Sequence, residues 1–221
     1  MGQNSSSFSS HEAVRILAPG YYCATLIFLF YLSGISRYFP LFALDGLTLL
    51  LVFTAVGMVA GLTLYAKEST KRRRAFQENQ PSLYLKNKSR AMSGLRALGD
   101  SEARQLYFYI LNNHMPLVFH EKIFFFGTIY HIMIQIRRTS FWFAVLSLVV
   151  LGVEISSGLT LSDLQSLTAF TVAVWLIYGL NVRYNKADRK MQENYQDQIY
   201  WLEMNNELVE GILRKRYSAK G

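Results

Sequence analysis

One cysteine in 221 residues leaves the chain without an intramolecular disulfide. That residue, Cys23, sits inside an apolar stretch, where a thiol serves as a small apolar filler. Histidine is scarce, with four residues, and neither HExxH nor a Cys-containing ligand set occurs, so no zinc signature is present. There is no P-loop, no Gly-rich nucleotide motif and no nucleophile elbow. No catalytic residue is assigned, and no cofactor is expected. Charge is thin too, at 17% of residues against 51% hydrophobic ones. A soluble domain can be as apolar, but it spreads its apolar residues at helical or strand spacing. Here they are gathered in blocks.

Four blocks read as transmembrane helices: Ile16–Ser36, Gly46–Ala66, Thr139–Val153 with its continuation to about Leu161, and Leu164–Val182. A 21-residue block is about 31 Å long as a helix, close to the hydrocarbon thickness of a bilayer. Tyr21, Tyr22, Tyr38, Tyr65 and Trp142 lie near the block ends, where amphipathic rings favour the membrane interface. No cleavable signal peptide is expected, because the N-terminus is Ser-rich and the first block is longer than a signal h-region. Met1–Ser6 matches the N-myristoylation pattern, though an acyl chain adds little to a chain that crosses four times.

Charge sets the expected topology. Arg37–Asp45 and Glu154–Asp163 together hold one basic residue and three acidic ones. The segment 67–138 holds thirteen basic residues and five acidic ones, which equals the whole net charge of +8. Lys and Arg near span ends stay on the cytoplasmic side. Both termini and the central segment are therefore expected in the cytoplasm, giving a polar N-terminus (1–15), hairpin 1 (16–66), a basic helical domain (67–138), hairpin 2 (139–182) and a C-terminal helix (183–221).

Within the central segment, Lys67–Leu98 reads as a loop or short helix. Asp100 starts a helix by accepting a backbone N–H, with Glu102 facing its positive end. That helix carries Leu106, Tyr107, Ile110 and Leu111 as an apolar stripe and breaks at Met115-Pro116. The uncharged run 123–136 is too short to cross a bilayer alone. It reads as a buried helix packed on 101–113 that continues into span three, with re-entrant or interfacial placement as alternatives. Arg183–Tyr217 reads as a cytoplasmic extension of span four. Met191, Tyr195, Leu202 and Val209 mark its three-four seam, which suits either an oligomeric coiled coil or a helix packed on the central domain.

Gly57 and Gly61 form a GxxxG in span two, which allows close approach of a second helix. The partner is another subunit or span one of the same chain. Lys71, Arg72, Arg73 and Arg74, with Arg137 and Arg138, form basic blocks suited to anionic lipid headgroups or an acidic protein partner. They contain no interleaved aromatics, so direct nucleic-acid binding is not expected. His114, His120, Glu121 and His131 are the only concentration of metal-type residues. On one helix His120 and His131 are about 16 Å apart, so structural histidines are the reading. Arg104 and His114 are too widely spaced for a ribonuclease-type pair. Glu154 and Asp163 sit at span boundaries, where solvation or a pore mouth accounts for them. Thr48, Thr54 and Thr63 in span two, with Thr168 and Thr171 in span four, do not form a continuous polar stripe.

The expected fold is an all-α integral membrane protein with four transmembrane helices in two hairpins, a central cytoplasmic helical domain and a C-terminal cytoplasmic helix. A homo-oligomer, dimer or tetramer, is expected in the bacterial inner membrane, with anionic lipid and a cytoplasmic protein as partners. In layout, Ile16–Ala66 and Thr139–Val182 around basic cytoplasmic segments resemble the small four-span membrane subunit of the bacterial Kiwa anti-phage system. The resemblance implies a membrane sensor of infection that recruits a cytoplasmic, nucleic-acid-binding effector. It transfers no individual residue. The alternative is an oligomeric pore that depolarises the membrane.

Overall fold

A computed structural model describes residues 4–38, 45–75 and 80–218, with side chains described from residue 10 onward except those of 68–75 and 187. Among the described residues there are eight α-helices and no strand: α1 (Asn4–Ser33), α2 (Gly46–Ala75), α3 (Pro81–Ala91), α4 (Asp100–Asn113), α5 (Leu117–Ser156), α6 (Gln165–Tyr184), α7 (Lys186–Met204) and α8 (Asn206–Tyr217). Four helical runs are long and apolar enough to cross a membrane. They are Ser10–Ser33, Gly46–Lys67, Leu117–Ser156 and Gln165–Met204, whose apolar part is α6. The chain is thus all-α with four helices of membrane-crossing length, as an integral membrane protein requires. It divides into two compact units, Met1–Ser69 with Thr128–Ala187, and Thr70–Gly127 with Asp188–Gly221.

In the first unit, α1 touches the other three long helices. It runs antiparallel to α2, because Tyr65 meets Glu12, Gly61 meets Ile16, and Gly57 meets Gly20 and Tyr21. It also runs antiparallel to α6, with Phe170 against Phe30 and Leu167 against Gly34. Its pairing with α5 is parallel, through Tyr22 to Ser140, Phe30 to Phe143 and Tyr38 to Glu154. Leu26, Phe30, Ala144, Leu167, Phe170 and Val174 form the buried centre.

The α1–α2 contact depends on missing side chains. A Cβ on Gly20 would collide with the carbonyl oxygen of Gly57, and one on Gly61 with the carbonyl oxygen of Ile16. A Cβ on Gly57 would lie 2.8 Å from the Tyr21 ring. Pro19 precedes this contact inside α1. Lacking an N–H, it leaves the Arg15 carbonyl without its helical donor, which a membrane helix tolerates where neighbours enclose it.

In the second unit, Pro81 opens α3 at the first helical position, where its missing N–H costs nothing. The start of α4 differs in detail from expectation. Gly99 occupies the cap position, and the Glu102 carboxylate accepts its N–H at 2.9 Å. Asp100 is already the first helical residue, and Lys86 holds it at 2.6 Å. The helix ends at Asn113, ahead of Met115-Pro116. Leu85, Leu98, Leu106, Ile110, Leu202, Val209 and Leu213 form one buried core. Each contributes about 1.5–3 kcal/mol by leaving water. The end of α8 is pinned by a bridge between Leu95 and Ser218 and by the Arg96 N–H donating to the Tyr217 carbonyl.

Two boundaries differ from the sequence reading. First, α5 continues into span three as one helix of 40 residues, as read from the sequence, but it passes from the second unit to the first between Gly127 and Thr128. The part belonging to the first unit begins eleven residues before Thr139. His131, Gln135 and Arg137 lower the hydropathy there, which hid the junction. Second, α6 does not run straight into the C-terminal helix. Asn185 takes a left-handed conformation at φ 37° and ends α6. Asn is among the few non-glycine residues that adopt it readily.

Candidate functional site: a polar stripe on helix α5

Helix α5 buries Thr128, His131, Gln135 and Thr139, and then Ser140, Ser147 and Glu154. The first four recur every three or four residues and the last three every seven, so each set shares a helix face. From His131 to Glu154 the axial rise is about 35 Å, roughly a hydrocarbon thickness. Polar side chains inside a membrane bundle are expensive unless paired.

The stripe is anchored at both ends. At one end, Glu12 accepts from the Tyr65 hydroxyl at 2.6 Å and pairs with Arg15 at 2.5 Å. The Tyr65 ring lies 5.4 Å from that of His131, and the Gln135 amide donates to the Leu64 carbonyl at 2.9 Å. This cluster ties α1, α2 and α5 together. At the other end, the Tyr38 hydroxyl donates to Glu154 at 2.7 Å, and Arg37 donates to the Asp163 carbonyl. The bond to the carboxylate raises the Tyr38 phenol above its ordinary pKa. Donation from the Thr160 hydroxyl and N–H holds Asp163 below the usual carboxylate range. Midway, Tyr22 and Ser140 share a hydroxyl bond of 2.7 Å. Ser140 and Ser147 also donate to carbonyls one turn back in α5. Thr139 Oγ1 has no hydrogen-bond partner among the described residues.

Such contacts orient helices. Interhelical hydrogen bonds of this kind contribute about 0.6–1.7 kcal/mol each. Chemically one end offers Glu12, Arg15 and His131, and the other Glu154, Asp163 and Arg37. Among the described residues no group of three His, Cys, Asp or Glu side chains could hold a metal ion. Beside the stripe, an apolar groove of about 370 Å³ between α5 and α6 is lined by Leu148, Leu151, Thr171, Val172, Trp175 and Leu176.

No family model, curated protein or solved structure matches the chain. Its chemistry therefore rests on its own geometry.

The residues singled out from sequence fall as follows. Gly57 and Gly61 face α1 of the same chain. That face is filled and is not open to a second copy. Met191, Leu202 and Val209 are buried within the chain, and Tyr195 is half-buried. Leu202 and Val209 pack in the core of the second unit, so the seam is not an exposed coiled-coil face. Lys71, Arg72, Arg73 and Arg74 are in the helical backbone of α2, but their side chains lie outside the described residues. Arg137 and Arg138 are half-buried, and Arg137 donates to Asn185 at the end of α6. A cation at a helix C-terminus is favoured there.

His120 bonds the Leu111 carbonyl at 2.8 Å, and the His114 ring meets Tyr109 edge-on. Thr48 and Thr54 are half-buried and Thr63 is exposed. Thr171 donates to the Leu167 carbonyl. The polar stripe on α5 lies outside the threonines of spans two and four that the sequence reading named. A count of Ser, Thr, Gln and His at three-, four- and seven-residue spacing over 128–154 would have found it.

The basic surface of the second unit is also smaller than its charge count suggests. Lys86 pairs with Asp100, Lys88 with Glu210 and Asn206, Arg96 with Glu102, and Lys122 with Asp197 at 3.6 Å. Donation from Asn206 and Lys88 holds Glu210 below the ordinary carboxylate range. Arg216 lies 3.7 Å above the Tyr109 ring, a cation–π contact.

Proposed function

We propose that this protein is a bacterial inner-membrane scaffold or sensor that recruits a cytoplasmic protein partner. In this reading Ile16–Ala66 and Thr139–Val182 insert as two hairpins from the cytoplasm, both termini remain there, and the second unit is the recruiting surface. The single observation that carries it is α5. One uninterrupted helix has Phe119 and Ile123 packed on the core of the second unit and His131, Gln135 and Glu154 buried in the first. In this reading α5 is the covalent link through which a change at the polar stripe would reach a partner-binding surface. The layout shared with the Kiwa membrane subunit favours a role in anti-phage defence. Anionic headgroups at Lys71–Arg74 would hold the cytoplasmic end of α2 against the bilayer.

Assembly as a dimer or tetramer would use the open side of α2, where Leu47, Leu51, Val59 and Leu62 are exposed. A monomer mass by light scattering in mild detergent would remove this part of the proposal. The scaffold itself is tested by affinity purification from mild detergent, comparing the full chain with one truncated after Asn185. Truncation removes the Leu202–Leu213 half of the second core, so a true partner should be lost. A partner retained equally by both chains would refute the reading.

The polar stripe supports a second reading, a pore whose lining is α5. Loss of membrane potential on induction, abolished by Gln135→Leu, would favour the pore. Unchanged potential would remove it.

A further inference from the structure

The last turns of α7 and the first turn of α8 carry an unusual surface. Tyr200, Met204 and Leu208 are 63%, 68% and 39% exposed. They recur every four residues, so they lie along one side while Leu202 and Val209 face the core. The helical bonding nearly continues through the junction, with Asn205 N–H donating to Trp201 and Val209 N–H to Asn205. Glu203 and Glu207 flank this strip and are exposed. Neighbouring acids are already engaged: Glu193 with Lys190, Asp197 with Lys122, and Glu210 with Lys88. Glu203 and Glu207 have no ion pair among the described residues. The result is an apolar strip with an acidic rim; elsewhere in the unit the exposed charges without an ion pair among the described residues include the basic Arg90, Arg189, Arg214 and Lys215.

Three occupants can be weighed. An anionic leaflet is disfavoured, because Glu203 and Glu207 would be driven toward like charge. A second copy joined through the same strip would place the glutamates opposite one another, which is also repulsive. A partner segment with apolar anchors and basic flanks meets both features at once. The geometry points to α7–α8 as the docking surface for a basic amphipathic helix of a protein partner. Tyr200 and Met204 supply the apolar anchors, and Glu203 and Glu207 supply steering and register. This rests on the recruiting role proposed above and specifies the chemistry of the recruited segment.

The test uses the full chain in phosphatidylcholine nanodiscs, with a fluorescent 14-residue Leu/Lys amphipathic peptide as probe and its Leu/Glu counterpart as control. Empty discs set the background. The Leu/Lys peptide should bind above that background and weaken with salt. The double variant Glu203→Lys, Glu207→Lys should bind it at least tenfold more weakly and gain affinity for the Leu/Glu peptide. Met204→Asp should also weaken binding of the Leu/Lys peptide severalfold. All three positions are exposed, and an unchanged elution profile of the discs confirms that folding is intact. Equal binding by the wild type and the charge-reversed chain, or no binding above empty discs, overturns the proposal. The cellular experiment separates the two levels. A partner lost on truncation after Asn185 but retained by the charge-reversed chain keeps the scaffold and overturns this surface. A partner indifferent to the truncation overturns the scaffold itself, and the peptide measurement then decides the surface alone.

Discussion

Gly20→Ala is the smallest change that should damage the membrane unit. Its new methyl would collide with the Gly57 carbonyl oxygen and lie 2.8 Å from Gly61 Cα. Both obstacles are backbone, so no rotamer change can relieve them. A carbon needs about 3.2 Å or more from an oxygen, so α1 and α2 must part by about 1 Å. Overpacking typically costs about 1–3 kcal/mol, and a gap of that size forfeits about a quarter to a half of the dispersion energy at each separated contact. The Tyr65–Glu12 bond and the Tyr21–Phe53 stack at 6.0 Å would be stretched with it. A total near 2–4 kcal/mol follows, which lowers the melting temperature by roughly 5–15 °C for a chain of this size. Cys23, the sole thiol and half-buried, lets a maleimide dye report unfolding during a thermal ramp in detergent. Gly179→Ala is the matched control, since nothing lies within 4 Å of its new methyl. It should leave stability unchanged or raise it by up to about 1 kcal/mol through helix propensity. Should Gly20→Ala and Gly179→Ala melt together, the close approach of α1 to α2 would be refuted.

Three further outcomes are expected. Leu106→Ala, at a fully buried site in the second core, should cost about 2–5 kcal/mol; protease resistance of 80–113 should fall, and unchanged digestion would contradict the core assignment. Tyr107 is half-buried against the second core and donates to Gln198 at 2.5 Å, and its loss of water contact raises its pKa well above the ordinary 10.0. Its contribution is therefore complete below pH 10 and is lost as pH climbs toward the folded value, so alkaline denaturation above pH 10 should be blunted in Tyr107→Phe; identical alkaline profiles would contradict it. Tyr38→Phe should remove the donor to Glu154, and hydrogen exchange should quicken severalfold at Ser157, whose N–H bonds the Val153 and Glu154 carbonyls, and at Leu159, whose N–H bonds the Glu154 carbonyl; unaltered exchange would count against the Tyr38–Glu154 bond as an anchor.

Three of the four apolar blocks were legible because 18 or more uncharged residues leave few alternatives. Leu106, Ile110 and Leu111 were legible as a stripe because helical spacing survives in the second unit. What stayed hidden was partnership. Gly57 and Gly61 show that some helix comes close, but only the positions of Gly20 and Ile16 show which one. The same limit applied to Leu202 and Val209, since a three-four seam looks alike whether its partner is a second copy or Leu85 and Ile110. The buried stripe on α5 escaped for another reason. Ser, Thr and Gln satisfy themselves partly on their own helix, so they barely disturb an apolar profile. The positive backbone angle at Asn185 left no hydropathy signal at all.

The length of α5 exceeds what one crossing needs. Forty residues make a helix of about 60 Å, twice the thickness of a bilayer core. About twenty residues suffice to cross the hydrocarbon, so roughly half of α5 must find its partners in water, at headgroup level or in protein.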